Sequence, residues 1–359
     1  MTPQRIGVVG LGLIGGSLAC RLHDAGCEVL AWNHTTRPYA GAEARGIRCL
    51  PTIEALAAAQ PDLLVLCNPL KAMPETLAAL AGVLDERTTL TDVGSVKGMV
   101  RDQVEAAGLG ERYIGAHPMA GNERSGWSAA DPALYDDALW AVTVRGDSDY
   151  RRFLSVAGMI TGLCGNRMIV VDDRTHDRAA GLISHMPHVV ATALVNELVA
   201  DPERDIATAL AAGSWRDMTR VALTDPDRTR AMVEEDDVNV SRLLRDVSSR
   251  LLAVADALDG EGRDAALTRF FAEGDPFRTF KTAQADIHTH APERIVELPE
   301  HGWQTALTDL ARHGEHIVRF ETSRTVVVRE LSHIGCGAPP AGHGRGGGAS
   351  RTRFFVTSD

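Results

Sequence analysis

His117 has the surroundings of a general base. It follows a short apolar run, and Pro118 after it restricts the His117 backbone to an extended conformation, which predicts an imidazole held at a strand end. An imidazole with a pKa near neutrality suits removal of a proton from a hydroxyl group. A structural histidine is the competing interpretation. Ser95, which follows another apolar run, is expected to hydrogen-bond either this imidazole or a substrate oxygen.

A second group of polar residues lies further along the chain. His185 and His188 are three residues apart in a long helical pattern, which predicts that both lie on one helix face, where both are candidates for substrate contact. Pro187 between them is expected to kink the helix. Two histidines without a clear third ligand are an incomplete metal site, so no metal is expected. Arg216 and Arg220 share one short turn, where a pair of guanidinium groups suits the binding of a substrate carboxylate.

The N-terminal segment contains a glycine turn between an apolar strand and a helix. Gly10 permits a tight turn, Gly12 leaves room for a pyrophosphate, and Gly15 lets the helix pack on the strand. Leu13 and Ile14 open that helix, whose N-terminal N–H groups attract phosphate. Because strand, turn and helix occur in the required order, the segment predicts dinucleotide binding, although a purely structural turn is the alternative.

The residues after the second strand bear on which nicotinamide cofactor is used. An Asp or Glu is typical there when the ribose of NAD is bound, whereas this chain has Asn33. His34, Thr35 and Arg37 follow closely and are suited to a ribose phosphate, so NADP is the first expectation. If Asn33 alone contacts the ribose and Arg37 is a surface charge, NAD is equally compatible.

Three further residues are candidates for cofactor contact. Asn68 follows the fourth predicted strand, and Ser95 and Lys97 follow the fifth. Because ligands bind outside the carboxyl ends of the strands in open α/β sheets, all three are expected near the cofactor. Lys97 is equally suited to a surface position at the start of a helix.

The elements that position these residues change in character along the chain. Strands and helices alternate over residues 1–171, which predicts a doubly wound, mostly parallel Rossmann-type α/β sheet. Predicted strands are at 5–9, 28–32, 47–50, 62–67, 88–92, 113–116, 140–144 and 168–171. Predicted helices between the later strands are at 52–59, 71–80, 97–107 and 148–162.

The rest of the chain predicts three further segments. Residues 172–289 read as an all-helical substrate and dimerisation domain that opens with one helix over 174–199. Residues 290–335 read as a small strand-helix-strand element, interpreted as an appended packing element with a regulatory half-module as the alternative. Residues 336–359 are rich in glycine and are expected to form a disordered tail.

Composition limits the class of protein. Acidic residues number 48 against 37 basic ones, giving a net charge of -11, which disfavours a nucleic-acid partner. No apolar run approaches the length of a membrane span and no signal peptide is recognised, so a cytoplasmic enzyme with a small-molecule substrate is expected. The six cysteines are scattered, which predicts neither disulfides nor a zinc site.

Four motifs together resemble the prephenate/arogenate dehydrogenase family of tyrosine biosynthesis. They are GLGLIGGS at 10–17, DVGSVK at 92–97, HPMAG at 117–121 and SHMPH at 184–188. The resemblance implies oxidative decarboxylation of a cyclohexadienol with transfer of hydride to NAD(P), in a homodimer. It also implies that His117 accepts the proton of the ring hydroxyl beside Ser95, that His188 lies near the substrate, and that Arg220 binds a carboxylate.

Other functions remain open from the sequence. An amino-substituted prephenate analogue in a specialised pathway is a close variant, and a catalytically silent NADP-binding regulatory protein is an alternative of another class. A β-hydroxyacid dehydrogenase is disfavoured because no lysine occurs between Arg174 and Val199. An acidic residue such as Asp236 or Asp237 is a candidate for selecting the ammonium group of arogenate over the keto group of prephenate.

Overall fold

A computed structural model describes residues 2–287 and 292–330, and the predicted tail at 336–359 lies outside them. The first sheet consists of five parallel strands in the order β3-β2-β1-β4-β5. The strands are β1 (Arg5–Val9), β2 (Glu28–Trp32), β3 (Arg48–Cys49), β4 (Leu63–Leu66) and β5 (Thr89–Asp92). The helices that cover it are α1 (Leu13–Asp24), α2 (Tyr39–Ala44), α3 (Ile53–Ala58), α4 (Met73–Ala81) and α5 (Gly98–Ala106).

The later strands form a second sheet in the order β6-β7-β8-β10-β11-β9. They are β6 (Gly115–Pro118), β7 (Leu139–Thr143), β8 (Arg167–Val171), β9 (Glu293–Glu297), β10 (Glu315–Phe320) and β11 (Thr325–Glu330). Only β7 and β8, joined through α6 (Tyr150–Ala157) and a π-helical turn at Gly158–Leu163, are parallel. The Rossmann-type fold is therefore confirmed, but its strands divide between two sheets.

Antiparallel pairing of β6 with β7 has a local cause. Residues 119–138 between them contain only short 3₁₀ turns, at Trp127–Ala129 and Pro132–Tyr135, and no helix long enough to cross over the sheet. Parallel neighbouring strands are usually joined by a helical crossover. Because this link contains no such helix, it returns the chain in the opposite direction. The sheets meet where Leu90 bridges Tyr113.

The C-terminal element contains one strand more than the sequence predicted. β10 follows α15 (Trp303–Arg312) and pairs with both β8 and β11. Its pattern was hard to recognise because charged and apolar residues alternate irregularly through a bulge between Ile317 and Arg319. Trp303 is buried against Phe153 of α6, with ring centroids 4.8 Å apart. This element therefore extends the second sheet.

Helices occupy the chain between β8 and β9. They are α7 (Asp173–Ala180), α8 (Met186–Ala200), α9 (Arg204–Leu210), α10 (Gly213–Thr219), α11 (Pro226–Glu235), α12 (Asp237–Asp259), α13 (Arg263–Ala272) and α14 (Asp275–Ile287). A π-helical turn at Gly181–His185 joins α7 to α8, so the predicted long helix is present with a distortion directly before Pro187. Such π turns inside α-helices occur frequently at functional sites.

The helical run Asp173–Ala200 does not agree with the expectation that no apolar run approaches the length of a membrane span. It is long and apolar enough to cross a membrane by length and composition, with a hydropathy of 1.2 in its most apolar window, of which 11% is buried. One such helix is weak evidence for a membrane, since helices of soluble proteins pass the same test. Large apolar side chains are also exposed on neighbouring helices, among them Ile206, Leu210, Leu251 and Leu252.

Candidate active site

One large cleft, about 1770 Å³ in volume, lies between the carboxyl ends of the strands and the helical segment. Most of the residues that the sequence singled out line it. They are Gly10, Gly12, Leu13, Ile14, Gly15, Asn33, His34, Thr35, Asn68, Ser95, His117, His188 and Arg220. Arg37, Lys97 and His185 do not line the cleft. Residues from distant parts of the chain therefore face one common volume.

The glycine turn has the shape that a pyrophosphate needs. Gly10 has a φ of +98°, which favours glycine, and a Cβ on Gly15 would lie 2.0 Å from the Gly10 carbonyl oxygen. A Cβ on Gly12, by contrast, would meet nothing within 4 Å. Helix α1 begins directly after Gly12 without a side-chain cap, so its first N–H groups are available to an anion. The turn thus fits a dinucleotide.

Asn33 braces this turn. Its Oδ1 accepts a hydrogen bond from the Leu11 N–H at 2.9 Å, and its Nδ2 donates to the Thr35 carbonyl oxygen at 2.9 Å. Both ends of the amide are therefore engaged within the protein. His34 and Thr35 remain on the cleft wall, whereas Arg37 is exposed outside it. Asn33, His34 and Thr35 thus line the cleft where the second strand ends.

Asn68 presents an unsatisfied acceptor in the same cleft. Its Nδ2 donates to the Pro69 carbonyl oxygen at 3.2 Å, while its buried Oδ1 has no hydrogen-bond partner among the described residues. A buried acceptor without a partner is destabilising by about 1–3 kcal/mol. A donor on a bound cofactor would remove that cost, so the amide also fits a dinucleotide.

Lys97 has a structural position that the sequence did not predict. Its side chain is completely buried, and its Nζ donates to the Asp92 carboxylate and, at 2.8 Å, to the Ala116 carbonyl oxygen. Burial lowers the pKa of Lys97, and the Asp92 carboxylate acts in the opposite direction. Lys97 is thus neither a surface residue nor a cleft residue. It joins the end of β5 to β6, the strand that carries His117.

His117 is held by a chain of hydrogen bonds. Its Nδ1 lies 2.9 Å from His176 Nε2, and His176 Nδ1 lies 2.8 Å from Asp177 Oδ1. Asp177 in turn accepts the backbone N–H groups of Lys97 at 2.7 Å and Gly98 at 2.8 Å. Burial, followed by the neighbouring His176 and Lys97, holds the pKa of His117 well below its ordinary value. The lowered pKa favours the neutral form of the His117 imidazole, which is the form that can accept a proton.

His176 and Asp177 were not recognised from the sequence as partners of His117. His176 is separated from His117 by 59 positions, and only the packing of α7 against the strand ends brings the two rings together. The one local signal is an adjacent His-Asp pair in the first turns of a helix.

His185 and His188, which the sequence predicts on one helix face, have different surroundings. His188 lines the cleft and donates from Nδ1 to the Ser184 carbonyl oxygen at 2.8 Å, which leaves its Nε2 available. His185 is completely buried, with Nδ1 2.7 Å from Asp236 Oδ2 of the segment before α12. His185 is the last residue of the π-helical turn, and its ring is paired with Asp236 instead of lining the cleft. Asp236 is likewise committed to this contact.

Two arginines from the helical segment have different positions. Arg220 is exposed on the cleft wall and forms no ion pair among the described residues, whereas Arg216 faces outward, 80% exposed beside Asp217.

Arg228 of α11 donates to the carbonyl oxygens of Asn122 at 2.9 Å and Arg124 at 3.2 Å. Arg228 therefore fastens the loop after His117 to the helices, a role that the sequence did not reveal.

The remaining cleft residues complete the polar wall. Ser95 lines the cleft, and its hydroxyl has no hydrogen-bond partner within residues 2–287 and 292–330. Glu235 at the end of α11 is a partly buried carboxyl on the same wall, and burial raises its pKa. Glu235 therefore lines the cleft, whereas Asp236 and Asp237, the acidic candidates from the sequence, do not.

The fold and the cleft define a class of protein: a nicotinamide-dependent dehydrogenase in which a Rossmann-type domain and a helical segment share the site. Residues 19–170 match the description "Prephenate dehydrogenase, nucleotide-binding domain" and residues 172–273 match "Prephenate dehydrogenase, dimerization domain". The chain belongs to the prephenate dehydrogenase family.

Individual relatives agree with this assignment. The chain is 30% identical to a cyclohexadienyl dehydrogenase from Zymomonas mobilis over 62% of this chain and 78% of the relative. Its structure is similar to that of prephenate dehydrogenase from A. aeolicus in complex with hydroxyphenyl propionate and NAD+, with a TM-score of 0.71 and 28% sequence identity. The similarity covers 78% of this chain and 98% of the A. aeolicus chain. For Synechocystis arogenate dehydrogenase the TM-score is 0.66 and the sequence identity is 26%, with 77% of this chain and 99% of the Synechocystis chain covered.

Proposed function

We propose that this enzyme oxidatively decarboxylates prephenate or arogenate, using His117 as the base and Arg220 as the carboxylate contact. The observation that carries the proposal is that the imidazole of His117 and the guanidinium of Arg220, which has no ion pair among the described residues, face the same cleft as the glycine turn. Relatives named for prephenate, cyclohexadienyl and arogenate dehydrogenation support this substrate class.

Each residue has a definite task in this proposal. His117 accepts the proton of the ring hydroxyl through Nε2, and Ser95 hydrogen-bonds the same oxygen or the imidazole. His188 contacts the substrate through its free Nε2. Arg220 binds a carboxylate through two parallel hydrogen bonds. When bound, the nicotinamide supplies the hydride acceptor, and aromatisation of the ring provides much of the driving force.

The test is reduction of NAD+ or NADP+, followed at 340 nm with prephenate and with arogenate in four separate assays. Reduction with at least one substrate is expected, and no reduction in any of the four would overturn the proposal.

Glu235→Gln then distinguishes the substrates, because a carboxylate on the cleft wall favours the ammonium of arogenate. A raised KM for arogenate with an unchanged KM for prephenate would assign Glu235 that role.

NADP is the preferred cofactor in this proposal. The strand end carries no acidic side chain to repel a ribose phosphate, and His34, Thr35 and the nearby Arg37 are suited to bind one. We expect a lower KM for NADP+ than for NAD+, and Arg37→Ala should raise only the KM for NADP+, by about tenfold. Arg45→Ala, which removes an exposed arginine paired with Asp24, is the matched control. A lower KM for NAD+ in the wild type would refute the preference.

A cytoplasmic homodimer is the proposed form of the enzyme. The exposed apolar side chains of the helices, including the run Asp173–Ala200, support burial against a second copy. Light scattering should give the mass of a dimer, and Leu252→Glu should shift it toward the monomer, while Val83→Glu on the nucleotide-binding part should not. A monomeric mass for the wild type would contradict the homodimer, and recovery of the native protein in the membrane fraction of cells would contradict the cytoplasmic location.

A further inference from the structure

His176 lies between the proposed base and a buried carboxylate. It is 5% exposed, Asp177 is 8% exposed, and the rings of His117 and His176 meet edge to face with centroids 5.1 Å apart. Asp177 is anchored at the start of α5 by the backbone N–H groups of Lys97 and Gly98. The three side chains therefore form one continuous line from the interior to the cleft.

The direction of each hydrogen bond follows from Asp177. Burial raises its pKa, but hydrogen bonds from His176, Lys97 and Gly98 outweigh burial, and the net pKa lies below the ordinary value. An ionised carboxylate only accepts, so His176 Nδ1 must donate to it, and Nε2 of a neutral His176 must accept. His117 Nδ1 is then the donor to His176. This leaves His117 Nε2 unprotonated, as a base toward the cleft requires.

We propose that His176 and Asp177 are positioning residues that hold His117 in its Nδ1–H tautomer and take over the positive charge created when it acts as base. The inference rests on the proposed role of His117. When Nε2 accepts the hydroxyl proton, the Nδ1 proton moves to His176 Nε2. His117 is then neutral with a proton on Nε2, and the His176 imidazolium is paired with the Asp177 carboxylate. No electrons are transferred in this step, and the proton count is conserved.

Two substitutions separate the parts of the inference. His176→Phe keeps a ring but neither accepts from His117 nor carries charge, and we expect kcat to fall about 100-fold with KM changed less than about threefold. His176→Gln retains an acceptor oxygen but takes up no proton, so kcat should recover to about tenfold below wild type. His316→Asn, which changes a largely buried imidazole of β10 outside the cleft, is the matched control and should leave kcat unchanged.

A spectroscopic measurement on the wild-type enzyme does not depend on any variant folding. In ¹⁵N-histidine-labelled protein at pH 7, His117 should show a protonated Nδ1 and an unprotonated Nε2. The opposite tautomer, or a kcat of His176→Phe within threefold of wild type, would overturn the inference. Full activity of His176→Gln would overturn the proposed transfer of positive charge from His117 to His176.

The proposed base is tested independently of its neighbours. His117→Asn with near wild-type turnover would refute His117 itself. An inactive His117→Asn together with a fully active His176→Phe would instead refute only the positioning residues. Thermal unfolding and cofactor binding of each variant show whether lost activity reflects lost structure.

Discussion

Lys97 and Asp92 form an ion pair in which both side chains are completely buried. Asp92 also accepts the Tyr113 hydroxyl at 2.8 Å, and Lys97 also donates to the Ala116 carbonyl oxygen, so the pair joins β5 to the strand that carries His117. Two charges removed from water are stable only when each finds such partners. The pair therefore supports the active site without facing it.

Breaking this pair should destabilise the protein. Lys97→Met leaves the Asp92 carboxylate buried without its cation, and we expect unfolding free energy to fall by about 3–5 kcal/mol in urea titrations. The double variant Lys97→Met with Asp92→Asn removes both charges and should recover part of that loss. A single variant as stable as wild type would show that the pair contributes little.

Arg220 and Arg216 provide a matched comparison within one turn of chain. Arg220→Ala should raise the KM for substrate about 10- to 100-fold, because a charge-assisted contact with a carboxylate is lost. Arg220→Lys should recover only part, since an ammonium lacks the paired donors of guanidinium. Arg216→Ala should match wild type in steady-state kinetics. Equal effects of both alanine variants would contradict the assignment of Arg220.

The pH dependence of activity follows from the environment of His117. Its pKa is lowered by burial and by the neighbouring His176, Lys97 and His185, so the neutral base persists as the pH falls. The profile of kcat/KM should therefore stay level through pH 6.5 and decline only at lower pH. An acidic limb with a midpoint at or above pH 6.5 would contradict this environment.

His316 should make stability depend on pH. Burial, followed by Arg167 and Arg329, lowers its pKa to about 4, against an unfolded value of about 6.5. The unfolded state binds the additional proton between these values, so the His316 contribution is complete above pH 6.5 and is lost as the pH falls toward 4. His316→Leu should therefore lose less stability than wild type between pH 6.5 and 4 in urea titrations. If the unfolding free energies of the two proteins changed in parallel with pH, this role of His316 would be refuted.

Local patterns predicted much of the fold. The glycine turn, the parallel strands and the long apolar helix follow from periodicity and from the conformational needs of a few residues, which neighbours in sequence supply. The antiparallel β6 and the additional strand β10 were harder to predict. β10 pairs with β8, which lies far away in the chain, and no local pattern encodes the partner of a strand. The direction of β6 depends on the link to β7, which contains no crossover helix, and the apolar pattern of the strand itself does not show this.

The candidate site divides in the same way. By itself the sequence determined which residue types were available for the chemistry, because His117, Ser95, His188 and Arg220 lie in recognisable motifs. Only the tertiary structure decided that most of the predicted side chains face one cleft, that Lys97 and His185 are buried, and that His176 contacts His117. Burial and hydrogen-bond partners are set by packing between distant segments, so they become definite only once the chain has folded.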